Sequence, residues 1–146
     1  MHTEARERLQ ADLIVDEGVK LHAYQDSLGY WTIGVGRLID KRKGGGITLS
    51  ESLYLLDNDI ASHWAEAIAR WPWIADLDPV RQAAMGNLAF NLGIAGLAKF
   101  APTLEAIRLG AYESAVRRLK GSLWFRQVQP SRSDRIFAML RGGSDV

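Results

Sequence analysis

Glu17 and Asp26 are the two side chains whose type and placing best suit chemistry. Glu17 stands immediately before Gly18, at the end of a stretch over residues 3–17 that reads as a helix. The C-terminal end of a helix is the negative end of its dipole, so a carboxyl placed there tends to keep its proton. A general acid needs that proton. Asp26 is expected at the end of a strand, beside the turn Ser27-Leu28-Gly29, where a carboxylate stays ionised. Nine residues separate the two, and the chain reverses between them at Gly18. Two carboxyls biased toward opposite protonation states suit glycosidic cleavage: one protonates the leaving oxygen, the other handles water or the sugar cation. Thr32 adds a hydroxyl. A hairpin turning about Gly29 puts Asp26 and Thr32 three residues to either side, so the two are expected opposite each other with a water between them. A Glu on a charged helix and an Asp at a turn are also among the commonest surface residues. On spacing alone, the solvated reading stands beside the catalytic one.

The elements that must position these groups follow from periodicity. In the first helix Ala5, Leu9 and Leu13 recur every four residues with Ile14 beside them, and Gly18 is placed to cap it. Leu21 to Asp26 and Tyr30 to Gly36 flank a Ser/Gly turn and read as a β-hairpin. Gly44-Gly45-Gly46 is a flexible or tight connection, with Ile47 at one end of a short third strand. Thr48 and Glu51 form a capping box. The helix they open aligns Leu49, Leu53, Leu56, Ile60, Trp64 and Ile68 and runs to about Trp71, before Pro72. At ~1.5 Å per residue it is long enough to bridge two lobes. Asp78-Pro79 opens another helix that reaches Leu92 before Gly93; shorter ones are expected near 104–109 and 112–119, then one from Pro130-Ser131 to Gly142-Gly143. The expected fold is α+β and mostly helical. Residues 1–146 form a single domain with a small antiparallel β lobe joined by the long helix to a helical lobe.

The ordered residues Asp16-Glu17-Gly18, Leu21, Tyr24, Asp26, Gly29-Tyr30 and Thr32-Ile33-Gly34-Val35-Gly36 closely resemble the phage lysozymes of glycoside hydrolase family 24, of the T-even type. The resemblance continues through Ile47-Thr48 and the long helix, the segment Asn87 to Gly93, Trp124, and Pro130 to Arg135. It implies a two-lobed lysozyme fold and roles for particular residues. Glu17 takes the place of the general acid, Asp26 that of the second carboxylate, and Thr32 that of the group positioning the nucleophilic water. Phe90, Asn91 and Thr103 fall at substrate-cleft positions, and Arg132 at that of an arginine paired with the acid. Arg37 replaces a histidine found in many members, and its expected partner is Asp59 on the long helix. The segment from Leu38 to Gly46 is short and basic beside the T-even enzyme's insertion. The implied activity is an endolysin's: hydrolysis of the β-1,4 bond between N-acetylmuramic acid and N-acetylglucosamine in peptidoglycan, with inversion, leading to host lysis.

Composition agrees and excludes little. The absence of cysteine removes disulfide, Cys-zinc and thiol chemistry. His2, His22 and His63 are not spaced as helical metal ligands, so no metal or other cofactor is expected. Gly34-Val35-Gly36 lacks the features of a nucleotide loop, and no nucleic-acid partner is expected. Of five tryptophans, Trp31 has the weakest claim to a core position. The N-terminus shows no signal-peptide pattern and no stretch is apolar enough to span a membrane. A monomer is therefore expected to stay in the host bacterial cytoplasm, without stable membrane insertion, until a holin opens the membrane to the wall. From residue 103 onward there are eight basic and four acidic residues, against ten and thirteen before it. That bias leaves open a non-enzymatic membrane- or wall-disrupting protein acting through basic C-terminal helices. A lytic transglycosylase is the enzymatic alternative, although it has no need of an Asp–Thr pair.

Overall fold

The structure, a computed structural model, describes residues 1–39 and 45–145. Most of the basic connection after Leu38, Gly44 included, lies outside the described residues. The chain divides into two compact units, Met1–Tyr54 and Leu55–Val146.

The first unit begins with α1 (Thr3–Glu17), which ends as its sequence predicts: Gly18 has φ +73° and returns its amide to the carbonyl of Ile14. Strands β1 (Lys20–Gln25), β2 (Trp31–Gly34) and β3 (Arg37–Leu38) form an antiparallel sheet in chain order. The first hairpin turns over Asp26 to Gly29, where the Gly29 amide reaches the Asp26 carbonyl, rather than about Gly29 itself. Its register is therefore Tyr24 opposite Thr32 and Gln25 opposite Trp31. The residue bonded across from Asp26 is Tyr30, whose carbonyl accepts the Asp26 amide. The expected facing of Asp26 and Thr32 is thus off by two residues.

The third strand is Arg37–Leu38, paired with Ile33 and Thr32 across a tight turn at Val35-Gly36; Ile47 belongs to no strand. A two-residue strand leaves no alternation to read, whereas β-branched Ile47 carries a local preference that tertiary pairing does not use. Thr48 caps α2 (Leu49–Arg70) by accepting the Glu51 amide at 3.2 Å. The capping box stays half-closed, because the Glu51 carboxylate turns to Arg37 instead.

The second unit holds the later turns of α2, a 3-10 turn (Pro72–Asp76), α3 (Pro79–Ala98), α4 (Ala101–Arg108), α5 (Tyr112–Lys120), α6 (Leu123–Gln127), α7 (Pro130–Gly142) and a final 3-10 turn (Gly143–Asp145). Asp78 caps α3 by accepting the amides of Val80 and Arg81, with Pro79 at the first helical position. The expected break at Gly93 is present as a kink, φ +70° and ψ 166°, inside α3. α4 starts three residues earlier than its apolar periodicity suggests, since Pro102 fits a first turn whose amides need no partner. α6 has no counterpart in the sequence reading; Ser122 caps it and it buries Trp124. Met85, Leu88, Ile107, Leu119, Ile136 and Leu140 form the heart of one apolar core. Trp64, Trp71 and Trp73 pack against that core, whereas Trp31 is 53% exposed. No described helix is long and apolar enough to cross a membrane.

Candidate active site

Glu17, Asp26 and Thr32 all belong to the unit formed by residues 1–54. Asp26 is held by its own turn: Oδ1 accepts the amides of Leu28 at 2.9 Å and Tyr30 at 2.8 Å. This is an Asx turn, in which the side chain does the work of a backbone carbonyl. Oδ2 takes no hydrogen bond among the described residues. Thr32 is 3% exposed, and its hydroxyl donates to the Tyr30 carbonyl at 3.0 Å. The Tyr30 carbonyl thus gathers the Asp26 amide and the Thr32 hydroxyl on one acceptor.

Glu17 is different in kind. It is the last residue of α1, its side chain is exposed, and its carboxyl makes no hydrogen bond or ion pair among the described residues. What it touches is backbone: the carboxyl lies against Gly36 in the turn between β2 and β3. A Cβ added at Gly36 would stand 2.8 Å from Glu17 Oε2 and 2.9 Å from its Cδ. The sequence reading noted Gly36 only as part of a motif.

Arg37, next in the chain, binds Glu51 at 2.8 Å and the Gly46 carbonyl at 3.1 Å. The expected partner was Asp59. Eight residues along an α-helix is about 12 Å, and it is the first turn of α2, not its third, that presents a carboxylate to β3. Asp59 has no ion pair among the described residues.

The remaining candidates belong to the unit of residues 55–146. Phe90 is 38% exposed and meets the His63 ring edge-on at 5.3 Å. It lines a groove of about 540 Å³ together with Leu56, Ile60, Trp64, Asn87 and Arg132. Arg132 Nε donates to Asn87 Oδ1 at 2.8 Å, a contact that residue spacing does not reveal although Asn87 opens the motif that runs to Gly93. The two terminal nitrogens of Arg132 have no hydrogen-bond partner among the described residues. Asn91 is exposed, but its Oδ1 accepts the Trp124 indole N–H at 2.8 Å, so half of its polar capacity already serves the fold. Thr103, at 5% exposed in the first turn of α4, offers a substrate almost no surface. No cluster of metal-ligating residues occurs among the described residues.

A family model described as phage lysozyme matches residues 15–130. The chain is 30% and 31% identical to probable T4-type lysozymes 1 and 2 of Dictyostelium discoideum, with 88% of this chain aligned to 91% of each. It is also 30% identical to the pre-baseplate central spike protein Gp5 of Enterobacteria phage T4, where the same 88% spans 27% of a longer protein. With its helix-turn-sheet unit, its helical unit and a family match over most of its length, the chain belongs to the phage lysozyme family of enzymes.

Proposed function

We propose that the protein hydrolyses peptidoglycan as an N-acetylmuramidase, with Glu17 as general acid and Asp26 and Thr32 holding the attacking water. The observation that carries this reading is the contrast between the two carboxyls. Asp26 accepts two backbone amides on one oxygen, which fixes its carboxyl in the turn and leaves the second oxygen unused among the described residues. Glu17 accepts no hydrogen bond among the described residues, as suits a group whose task is to give a proton to the leaving oxygen. An attacking water needs a free lone pair, so both its protons must go to acceptors. Asp26 keeps Oδ2 for one of them. Thr32 has already given its only proton to the Tyr30 carbonyl, so toward a water it acts as an acceptor. A water held between two acceptors and attacking opposite the leaving group gives inversion of configuration. The groove lined by Phe90 and Arg132 is read as a further binding region for the glycan or its peptide. The same reading makes the protein an endolysin that waits in the host cytoplasm, reaches the wall after a holin opens the membrane, and causes lysis. It needs no metal or other cofactor.

Fragments released from purified peptidoglycan provide the test. Reducing N-acetylmuramic acid ends, formed first as the α anomer, are expected. A 1,6-anhydro ring would assign a lytic transglycosylase instead. Glu17→Gln keeps the shape of the acid and removes its transferable proton, so turnover should fall by at least ~10² with the fold intact. A variant near full activity would remove Glu17 from the chemistry. A second reading has one observation in its favour: Arg117, Arg118, Arg126 and Arg135 are exposed and carry no ion pair among the described residues. If Glu17→Gln still kills cells in full, these helices act on the membrane or wall without hydrolysis.

A further inference from the structure

We infer that Gly36 is a positioning residue for Glu17, its bare backbone forming the wall that sets where the acid's carboxyl rests; this deepens, and rests on, the assignment of Glu17 as general acid. An exposed glutamate with no hydrogen-bond partner has three side-chain torsions free to wander. A general acid cannot wander, because the proton must be delivered along one line to one oxygen. The Gly36 backbone, from the turn between β2 and β3, stands directly against the Glu17 carboxyl. A methyl there would overlap Oε2, Cδ and Cγ at 2.8, 2.9 and 3.1 Å. Such a methyl would move the carboxyl, not the turn, since the carboxyl is the unanchored end of a flexible chain. The fold would register little of this displacement, while the chemistry would register most of it.

Gly36 also has φ +66°, so any L-residue there is strained whatever it touches. Gly34 separates the two effects. Its φ is +69°, nearly the same, yet a Cβ at Gly34 meets nothing within 4 Å. Gly34→Ala therefore carries the strain alone, and Gly36→Ala carries the strain and the contact.

The experiment compares the wild type, Gly34→Ala and Gly36→Ala for Tm, kcat, KM and the 13C resonance of the Glu17 Cδ, assigned by its loss in Glu17→Gln. Assays are run below the lowest Tm. Both alanine variants should lose similar thermal stability. Only Gly36→Ala should lose kcat, by about tenfold to a hundredfold as for a misplacement of order 1 Å, with KM little changed and the Cδ resonance shifted. A third comparison uses Glu17→Asp, whose carboxyl is withdrawn by one methylene. In that background Gly36→Ala should lower the residual kcat no more than Gly34→Ala does. Equal kcat in the two alanine variants, or an unmoved Cδ resonance in Gly36→Ala, overturns the inference. If Glu17→Gln keeps full activity, the acid assignment itself has failed. If Glu17→Gln is inactive while Gly36→Ala matches Gly34→Ala, the positioning claim alone has failed.

Discussion

Asp26 does two jobs with two oxygens, and an isostere separates them. Asn at this position keeps Oδ1 as acceptor for the amides of Leu28 and Tyr30, so the turn should survive Asp26→Asn with its stability nearly unchanged. What Asn lacks is the second acceptor and the charge, so turnover should fall steeply. Equal turnover with equal stability would show that Asp26 only builds the turn. Thr32 is the complementary case, since its hydroxyl is tied to the fold through the Tyr30 carbonyl. Thr32→Val should cost about 1 kcal/mol for the lost buried hydrogen bond as well as turnover, and Thr32→Ser should recover both in large part. A Val variant with wild-type turnover would exclude the hydroxyl from handling water. None of these three hydrogen bonds follows from residue spacing. Side-chain capture of backbone groups depends on which turn forms, and a reading centred on Gly29 places the turn too late.

At the scale of elements, α3, α5 and α7 meet at one guanidinium. Arg81 donates to the carbonyls of Leu140 and Arg141 at 2.8 and 3.0 Å, closing the last turn of α7. It pairs with the α3 cap Asp78 at 3.1 Å and lies 3.6 Å over the Tyr112 ring at the start of α5. A planar fork with five donors can reach these partners together, and an ammonium cannot. Arg81→Lys should therefore cost about 2 kcal/mol, read by denaturant unfolding; an unchanged midpoint would show the clamp to be dispensable. Asp78 gives the clamp a pH dependence. Burial would raise its carboxyl, but hydrogen bonds from the Arg81 amide, the Ser144 hydroxyl and the Arg81 guanidinium, with the guanidinium's charge, lower it below 3.8. A lowered carboxyl contributes stability in full above its unfolded value, and that share fades as pH falls through the folded one. The Tm gap between wild type and Asp78→Asn should accordingly narrow below about pH 3.8; a constant gap would mean that the charge contributes nothing. Here the helix limits were legible, because caps and breakers are local: Thr48, Asp78-Pro79, Gly93 and Pro130 act where they stand. The clamp was not. Arg81 and Leu140 are 59 residues apart, and no period connects them. α6 escaped notice because five residues are too few to display a helical stripe, although Ser122 was a readable cap.

The whole molecule divides its labour unevenly. Every buried apolar side chain among the described residues, from Ala67 to Leu140, belongs to the unit of residues 55–146. In residues 1–54 the one buried residue among those described is Thr32. The geometry of Glu17, Asp26 and Thr32 is consequently kept by short-range devices: an Asx turn, a shared carbonyl, and a glycine backbone against a carboxyl. Such devices fix local distances without adding much cooperative stability, which follows buried apolar area. Opening free energies should therefore differ between the units, and native-state hydrogen exchange would measure the difference. Amides of Met85, Leu88, Val116, Leu119, Ile136 and Leu140 should exchange slowest, near the rate set by global unfolding. Those of α1 and the three-stranded sheet should exchange on the order of 10²-fold faster or more, through local opening. Glycan binding should slow the second set and leave the first nearly unchanged, because a ligand that closes on Asp26 and Thr32 stabilises the closed form of the elements carrying them. Uniform protection across both sets would contradict this and show a single cooperative unit, in which the carboxylates depend on the core of residues 55–146 after all.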